Sequence, residues 1–149
     1  MQENQEKQLL LVGNPNVGKS TLFNALCNTT QKTGNYSVVT VTSHSGNYTY
    51  KNEEVKTIDL PGSYSIYPSS EDEAVFSKVL LDKKNYTGVI YILEALSIKR
   101  GMLLMQQILD AGLPMIVVLN QVDQAKRRGV DIDVKKLEVA LGLKIIQTN

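Results

Sequence analysis

Apolar residues in this chain come in short unbroken runs: Leu9–Val12, Val89–Leu93 and Met115–Leu119. Continuous rather than alternating runs mark parallel strands buried on both faces. Val55–Asp59 reads as another such strand, and Ile145-Ile146 starts a last one. Val38–Val41 and Asn47–Tyr50 have strand composition, and the turn Lys51-Asn52-Glu53-Glu54 joins the latter to Val55–Asp59 as a hairpin. Helical signals fall between the strands. Lys19–Leu26 carries Leu22, Phe23 and Leu26 on one side. Ser70, with Glu73 after it, is a capping-box signature for a helix running to about Leu81. Ile98, Met102, Met105 and Leu109 form a helical stripe. Val134, Leu137 and Leu141 mark another helix, with Asp133 as N-cap and Gly142 just past its end. Residues 28–37 are polar and rich in Asn, Thr and Gly and read as a loop, and Pro61-Gly62-Ser63 opens a second one.

Strands alternating with helices predict an α/β fold: a mostly parallel six-stranded sheet, helices on both faces and one antiparallel edge strand. No repeat or low-complexity linker divides the chain, so residues 8–149 read as one domain behind a polar tail, residues 1–7. The last strand is not followed by a helix. That leaves one sheet face partly uncovered and predicts that a closing C-terminal helix is missing.

The length of 149 residues suits a single domain, and 42% hydrophobic with 21% charged residues is a globular composition. Lys+Arg 16 against Asp+Glu 15 gives a net charge of +1, which argues against a polybasic nucleic-acid binder. No apolar run approaches the ~18–20 residues of a spanning helix, so this segment reads as soluble. One cysteine, Cys27, excludes an internal disulfide and a cysteine-built zinc site. One histidine, His44, leaves little for histidine-led chemistry. Cys27 reads as a small buried residue, His44 as a surface or hairpin residue, Glu71-Asp72-Glu73 as a complement to a helix dipole, and Lys126-Arg127-Arg128 as a solvated face. Chemistry falls instead to backbone groups, a bound cofactor and a metal.

Gly13-Asn14-Pro15-Asn16-Val17-Gly18-Lys19-Ser20, followed by Thr21, fits G-x-x-x-x-G-K-[ST] between a buried strand and a helix. Its glycines let backbone N–H groups point inward at phosphate oxygens, and the helix start adds its positive dipole end. Lys19 reaches the outer phosphates and the Ser20 hydroxyl suits magnesium. Asp59-Leu60-Pro61-Gly62 ends the strand beside this loop. There Asp59 can hold magnesium through water, and the Gly62 N–H can approach a γ-phosphate. Asn120-Gln121-Val122-Asp123 fits N-x-x-D, whose carboxylate pairs with N1 and the 2-amino group of guanine, favouring GTP over ATP. A nucleotide-responsive segment is expected in residues 33–41, where Thr33, Ser37 and Thr40, with Thr42 just beyond, are the candidate hydroxyls; spacing alone does not choose among them.

Several stretches are more distinctive. They are Gly13–Ser20 with its Asn-Pro-Asn core, Gly34-Asn35-Tyr36-Ser37-Val38-Val39-Thr40-Val41, Asp59–Ser65 leading to Pro68 and Glu71-Asp72-Glu73, and Gly129–Asp133 leading to Leu141-Gly142. Together they resemble the ferrous iron transport protein B family from Leu9 onward. The resemblance implies a P-loop GTPase (G domain) on the cytoplasmic face of a bacterial inner-membrane Fe(II) transporter. The implied partners are its own membrane domain and helical domain, with homo-oligomerisation left open and no nucleic acid expected. By the same resemblance Thr40 ligates magnesium, Asn16 helps hold a potassium ion, and backbone carbonyls around Gly34–Tyr36 complete that site. Thr148-Asn149 fall where the last guanine-contacting loop begins, so the chain ends inside it. Departures are Val38 for a common glycine, Gln121 for lysine and Glu94-Ala95 for Asp-Ala.

Ser63 stands where many GTPases carry a water-orienting glutamine, and residues 28–42 and 59–70 hold no arginine. Slow hydrolysis is therefore expected, with Lys19, Thr40, Gly62 and a potassium ion at Asn16 as its machinery. The competing readings are a ribosome-assembly GTPase of the Era type, which shares the N-P-N-V-G-K-S loop, and a nucleotide-binding module that does not hydrolyse. The Era type needs an RNA-binding domain, and Tyr64–Glu73 does not resemble it.

Overall fold

The computed structural model describes residues 7–27, 32–35 and 42–149. In chain order its elements are β1 (Lys7–Gly13), α1 (Lys19–Cys27), β2 (Lys32–Asn35), β3 (Thr42–Tyr50), β4 (Glu53–Asp59), α2 (Glu71–Leu81), a 3-10 turn (Lys83–Asn85), β5 (Gly88–Glu94), α3 (Ile98–Asp110), β6 (Met115–Asn120), α4 (Val122–Arg127), α5 (Val134–Leu141) and β7 (Ile145–Gln147). The strands form one seven-stranded sheet in the order β2-β3-β4-β1-β5-β6-β7. β4, β1, β5, β6 and β7 pair in parallel, with Leu10 opposite Ile58 and Val89, and Val118 opposite Ile92 and Ile146. β1 is central because its Leu10, Leu11 and Val12 are apolar on both faces and are fully buried.

The alternation of side chains along each strand sorts the core into two layers. Leu10, Val12, Ile58, Tyr91, Leu93, Val117 and Leu119 face α2, α3, α4 and α5. Leu11, Ile90, Ile92 and Val118 face Phe23 and Cys27 of α1. On that second face Ile116 of β6 is 38% exposed and Ile146 of β7 is 44% exposed, so the expected partly uncovered face is present.

Three readings are corrected. The sheet has seven strands rather than six, because Lys32–Asn35 pairs antiparallel with Thr42–Ser45, making two antiparallel pairs instead of one edge strand. A Lys-Thr-Gly-Asn strand has no compositional signature, since pairing with β3 and not propensity defines it. The hairpin between β3 and β4 turns on Lys51-Asn52 alone, at φ 49° and 64°, while Glu53 and Glu54 already pair with Tyr50 and Thr49. α4 was not expected, because six residues are too few to show a helical period. The expected strand Val38–Val41 lies outside the described residues.

Capping follows expectation. Ser70 accepts the Glu73 N–H, although the Glu73 carboxylate returns to the Ser69 N–H rather than to that of Ser70. Asp133 accepts the Lys136 N–H, and Gly142 closes α5 at φ 65°.

Candidate functional site

The phosphate-loop, D-x-x-G and N-x-x-D residues lie at the carboxyl edge of the parallel strands, where open α/β sheets place their ligand crevice. β1 delivers Gly13 there, β4 Asp59 and β6 Asn120, and Thr148 follows β7. From Gly13 the chain curls into a loop in which Asn16 (φ 64°) and Gly18 (φ 89°) are left-handed, a conformation that turns N–H groups inward. Gly18 is needed for space as well, because a Cβ there would stand 2.3 Å from Asn120 Nδ2. Its carbonyl accepts the Leu22 N–H at 3.0 Å, so α1 starts directly under the loop. Val17 anchors the loop in the α1 layer, and Asn14 turns inward on the other side. Asn16, Ser20 and Thr21 are exposed, and Pro15 is half-buried.

Behind the loop runs Asp59-Leu60-Pro61-Gly62. The Leu60 N–H donates to the Leu11 carbonyl at 3.2 Å and the Ser63 N–H to the Gly13 carbonyl at 3.1 Å. Gly62 lies against Pro15, where a Cβ would come within 2.8 Å of Pro15 Cα. Lys19 and Asp59 form an ion pair whose side chains are 11% and 4% exposed. Ser63 is buried, and its hydroxyl donates to the Ser65 carbonyl at 2.8 Å. The Gln107 side-chain oxygen of α3 accepts from the Ile66 N–H at 2.8 Å and from the Ser65 hydroxyl at 3.2 Å. No local motif signals Gln107, which acts across the fold.

At the other end, Asn120 is a bracket. Its Nδ2 donates to the Val17 carbonyl at 3.0 Å, and its Oδ1 accepts from the Thr148 hydroxyl at 2.9 Å. The Thr148 backbone closes the ring: its N–H donates to the Leu119 carbonyl at 2.9 Å and its carbonyl accepts from Val122 at 3.2 Å. Asn149 Oδ1 accepts the Asp123 N–H at 3.2 Å. Gln121 adopts a left-handed conformation (φ 61°) that turns the chain into α4. The Asp123 side chain is 37% exposed, with Arg127 Nη2 at 3.6 Å.

Ser20, exposed at the start of α1, and Asp59, paired with Lys19, are hard oxygen donors of the kind magnesium takes. Thr40, Ser37 and Tyr36 lie outside the described residues; Thr33 and Gly34 fall in β2 and Thr42 in β3. Tyr91 was not signalled by sequence. Its ring is fully buried in β5, and burial pushes its hydroxyl well above the usual tyrosine range, so it keeps its proton. Among the described residues no helix is long and apolar enough to cross a membrane.

The family model for ferrous iron transport protein B matches residues 7–149. The Fe(2+) transporter FeoB of Leptospira biflexa is 45% identical over 145 residues, which is 97% of this chain and 21% of that protein. The solved cytosolic domain of L. pneumophila FeoB is 39% identical at a TM-score of 0.88, covering 95% of this chain and 56% of that one. An S. thermophilus NFeoB variant bound to mGDP is 32% identical at a TM-score of 0.87, covering 96% of this chain and 54% of that one. The chain spans about a fifth of the length of the curated relatives it matches.

Proposed function

Because the chain belongs to the ferrous iron transport protein B family, we propose that it binds GTP and GDP, hydrolyses GTP slowly, and regulates Fe(II) uptake by an attached membrane domain at the cytoplasmic face. The observation that carries the nucleotide reading is the convergence of the Gly13–Ser20 loop, Asp59 and the Asn120–Asp123 turn at one sheet edge. The match over residues 7–149 favours the transporter family over a ribosome-assembly GTPase.

Each residue has a part. Backbone N–H groups of the loop and the start of α1 surround the phosphates, and Lys19 exchanges its Asp59 partner for phosphate oxygens. Asp123 accepts from the guanine N1–H and 2-amino group, which adenine cannot match. Ser20, Asp59 and Thr40 would hold magnesium, which neutralises phosphate charge when bound. Gly62 offers its N–H to the γ-phosphate. Water then attacks the γ-phosphorus and the bond to the bridging oxygen breaks, giving GDP and phosphate. The Ser63 hydroxyl is bonded to the Ser65 carbonyl and is not available to orient that water, which supports slow turnover. Asn16, exposed on the loop, would hold a potassium ion in place of an arginine finger.

Stopped-flow binding of fluorescent GTP, GDP and ATP analogues, with phosphate release followed in potassium and sodium buffers, tests this. Guanine nucleotides should bind and the ATP analogue should not, and release should be faster in potassium. Equal affinity for ATP overturns the base assignment. Equal rates in the two buffers, or a potassium effect that survives Asn16→Ala, overturns the cation role. Hydrogen exchange in residues 59–70 should differ between the GDP and GTP-analogue forms. In cells, a full-length transporter carrying Lys19→Ala should take up less Fe(II); unchanged uptake sinks the regulatory role.

A further inference from the structure

Asn14 is the second residue of the phosphate loop, yet it is 3% exposed and its Nδ2 has no partner among the described residues. One side chain holds it. The Tyr91 hydroxyl stands 2.6 Å from the Gly101 carbonyl of α3, to which it donates, and 3.2 Å from Asn14 Oδ1. A single phenol proton cannot fully serve two acceptors, and the shorter bond takes most of it. Turning the amide over would let Nδ2 donate to the phenol oxygen instead. In either orientation Tyr91 is the group that fixes Asn14. Gly101 lies beside the pair: a Cβ there would stand at ordinary contact distance, 3.6 Å, from both Asn14 Oδ1 and the Tyr91 hydroxyl.

Asn14 is well placed to transmit this contact. The preceding residue, Gly13, accepts the Ser63 N–H, and the following one, Pro15, is packed by Gly62. Proline also restricts the backbone of the residue before it. With both neighbours pinned, the side-chain anchor sets the path by which the chain leaves β1 and enters the curl. α3 carries Gln107 too, which accepts from Ser65 and Ile66. One helix thus supports the loop and the segment beyond Gly62.

We infer that Tyr91 is a positioning residue for the phosphate loop: through Asn14 it holds the curl that grips the nucleotide's phosphates, and it ties that curl to α3. The inference rests on the guanine-nucleotide reading above. Tyr91→Phe keeps the ring and removes the hydroxyl with its contacts to Asn14 and the Gly101 carbonyl, so release of fluorescent GDP should accelerate about tenfold, the worth of one buried hydrogen bond to the loop. The preference for GDP over ADP should stay as it is, because the base end is untouched. Asn14→Ala should accelerate release similarly, and the double variant should release no faster than Tyr91→Phe alone, since the Tyr91–Asn14 contact is already lost in that variant. Thermal melting shows that each variant is folded. Unchanged release in Tyr91→Phe, or additive losses in the double variant, would overturn the inference while leaving nucleotide binding intact. If Tyr91→Phe does not fold, Asn14→Ala carries the test alone: faster GDP release from a folded chain supports the inference, and unchanged release overturns it. A parent chain that binds no guanine nucleotide overturns the nucleotide reading and the positioning role together.

Discussion

Asn14 and Asp123 stand at opposite ends of one site, in different surroundings. Asn14 is sealed between β5 and α3, and Val17 beside it is packed in the α1 layer. Asp123 sits at the solvent edge on a short helix, with hydrogen bonds from Asn120 and Thr148 setting the turn that carries it. The contrast follows from what each end has to do. Under the proposed function phosphate would be gripped by backbone N–H groups, whose directions are set by packing the loop that carries them. Under the proposed function guanine would be read by one carboxylate, which needs reach and correct placement more than burial.

Lys19→Ala should break the phosphate end hardest. It leaves Asp59 as a buried unpaired carboxylate, costing about 3–5 kcal/mol of stability, and it abolishes measurable nucleotide binding. Denaturant melts and calorimetric titration measure both. Lys19→Ala with Asp59→Ala should regain most of the stability but none of the binding; a double variant as unstable as the single would show that the pair is not what the core feels.

Asp123→Asn should spare the phosphate end and change only the base. Preference for GDP over xanthosine diphosphate should fall by roughly 1–3 kcal/mol, as for loss of one bidentate base contact. Stability should move by no more than about 0.5 kcal/mol, as at other partly exposed positions. A large drop in melting temperature would show that the base end is more integral to the fold than its exposure implies.

Asn120→Ala removes the bracket between the two ends, stranding the Val17 carbonyl and the Thr148 hydroxyl. About 1–3 kcal/mol of stability should go, with weaker GDP and xanthosine diphosphate binding alike. Thr148→Val should cost only about 1 kcal/mol.

The smallest effect serves as a control far from the base end. The Ser69 hydroxyl and N–H hold the exposed Glu73 carboxyl below its usual range. A lowered folded-state value means that its contribution is present above the ordinary glutamate range and is lost as pH falls through the folded value. Glu73→Gln should flatten that acid limb in a pH series of melts and leave GDP affinity at neutral pH unchanged.

The phosphate loop is legible because its signature is local: glycines at fixed spacing, an apolar strand before and a helix after. The capped helices at Ser70 and Asp133 were legible for the same reason. Lys32–Asn35 was not, because four polar residues become a strand only once β3 lies beside them. Asn120 is legible as the first residue of N-x-x-D, but its bridge between Val17 and Thr148 is not. Its side-chain partner on the loop is 103 residues away in the chain.

From its own residues, then, this chain determines the alternating α/β order, the phosphate and base motifs and the family. Each is carried by nearest neighbours or by fixed spacing. Only the tertiary structure decided what sets the loop's shape: Tyr91 against Asn14 at a separation of 77 residues, Lys19 against Asp59 at 40, and Gln107 against Ile66 at 41. Periodicity marks a side chain as facing the core, but a hydrogen bond or ion pair needs two groups within about 3 Å. For groups that far apart in sequence, only the packed sheet and helices bring that about.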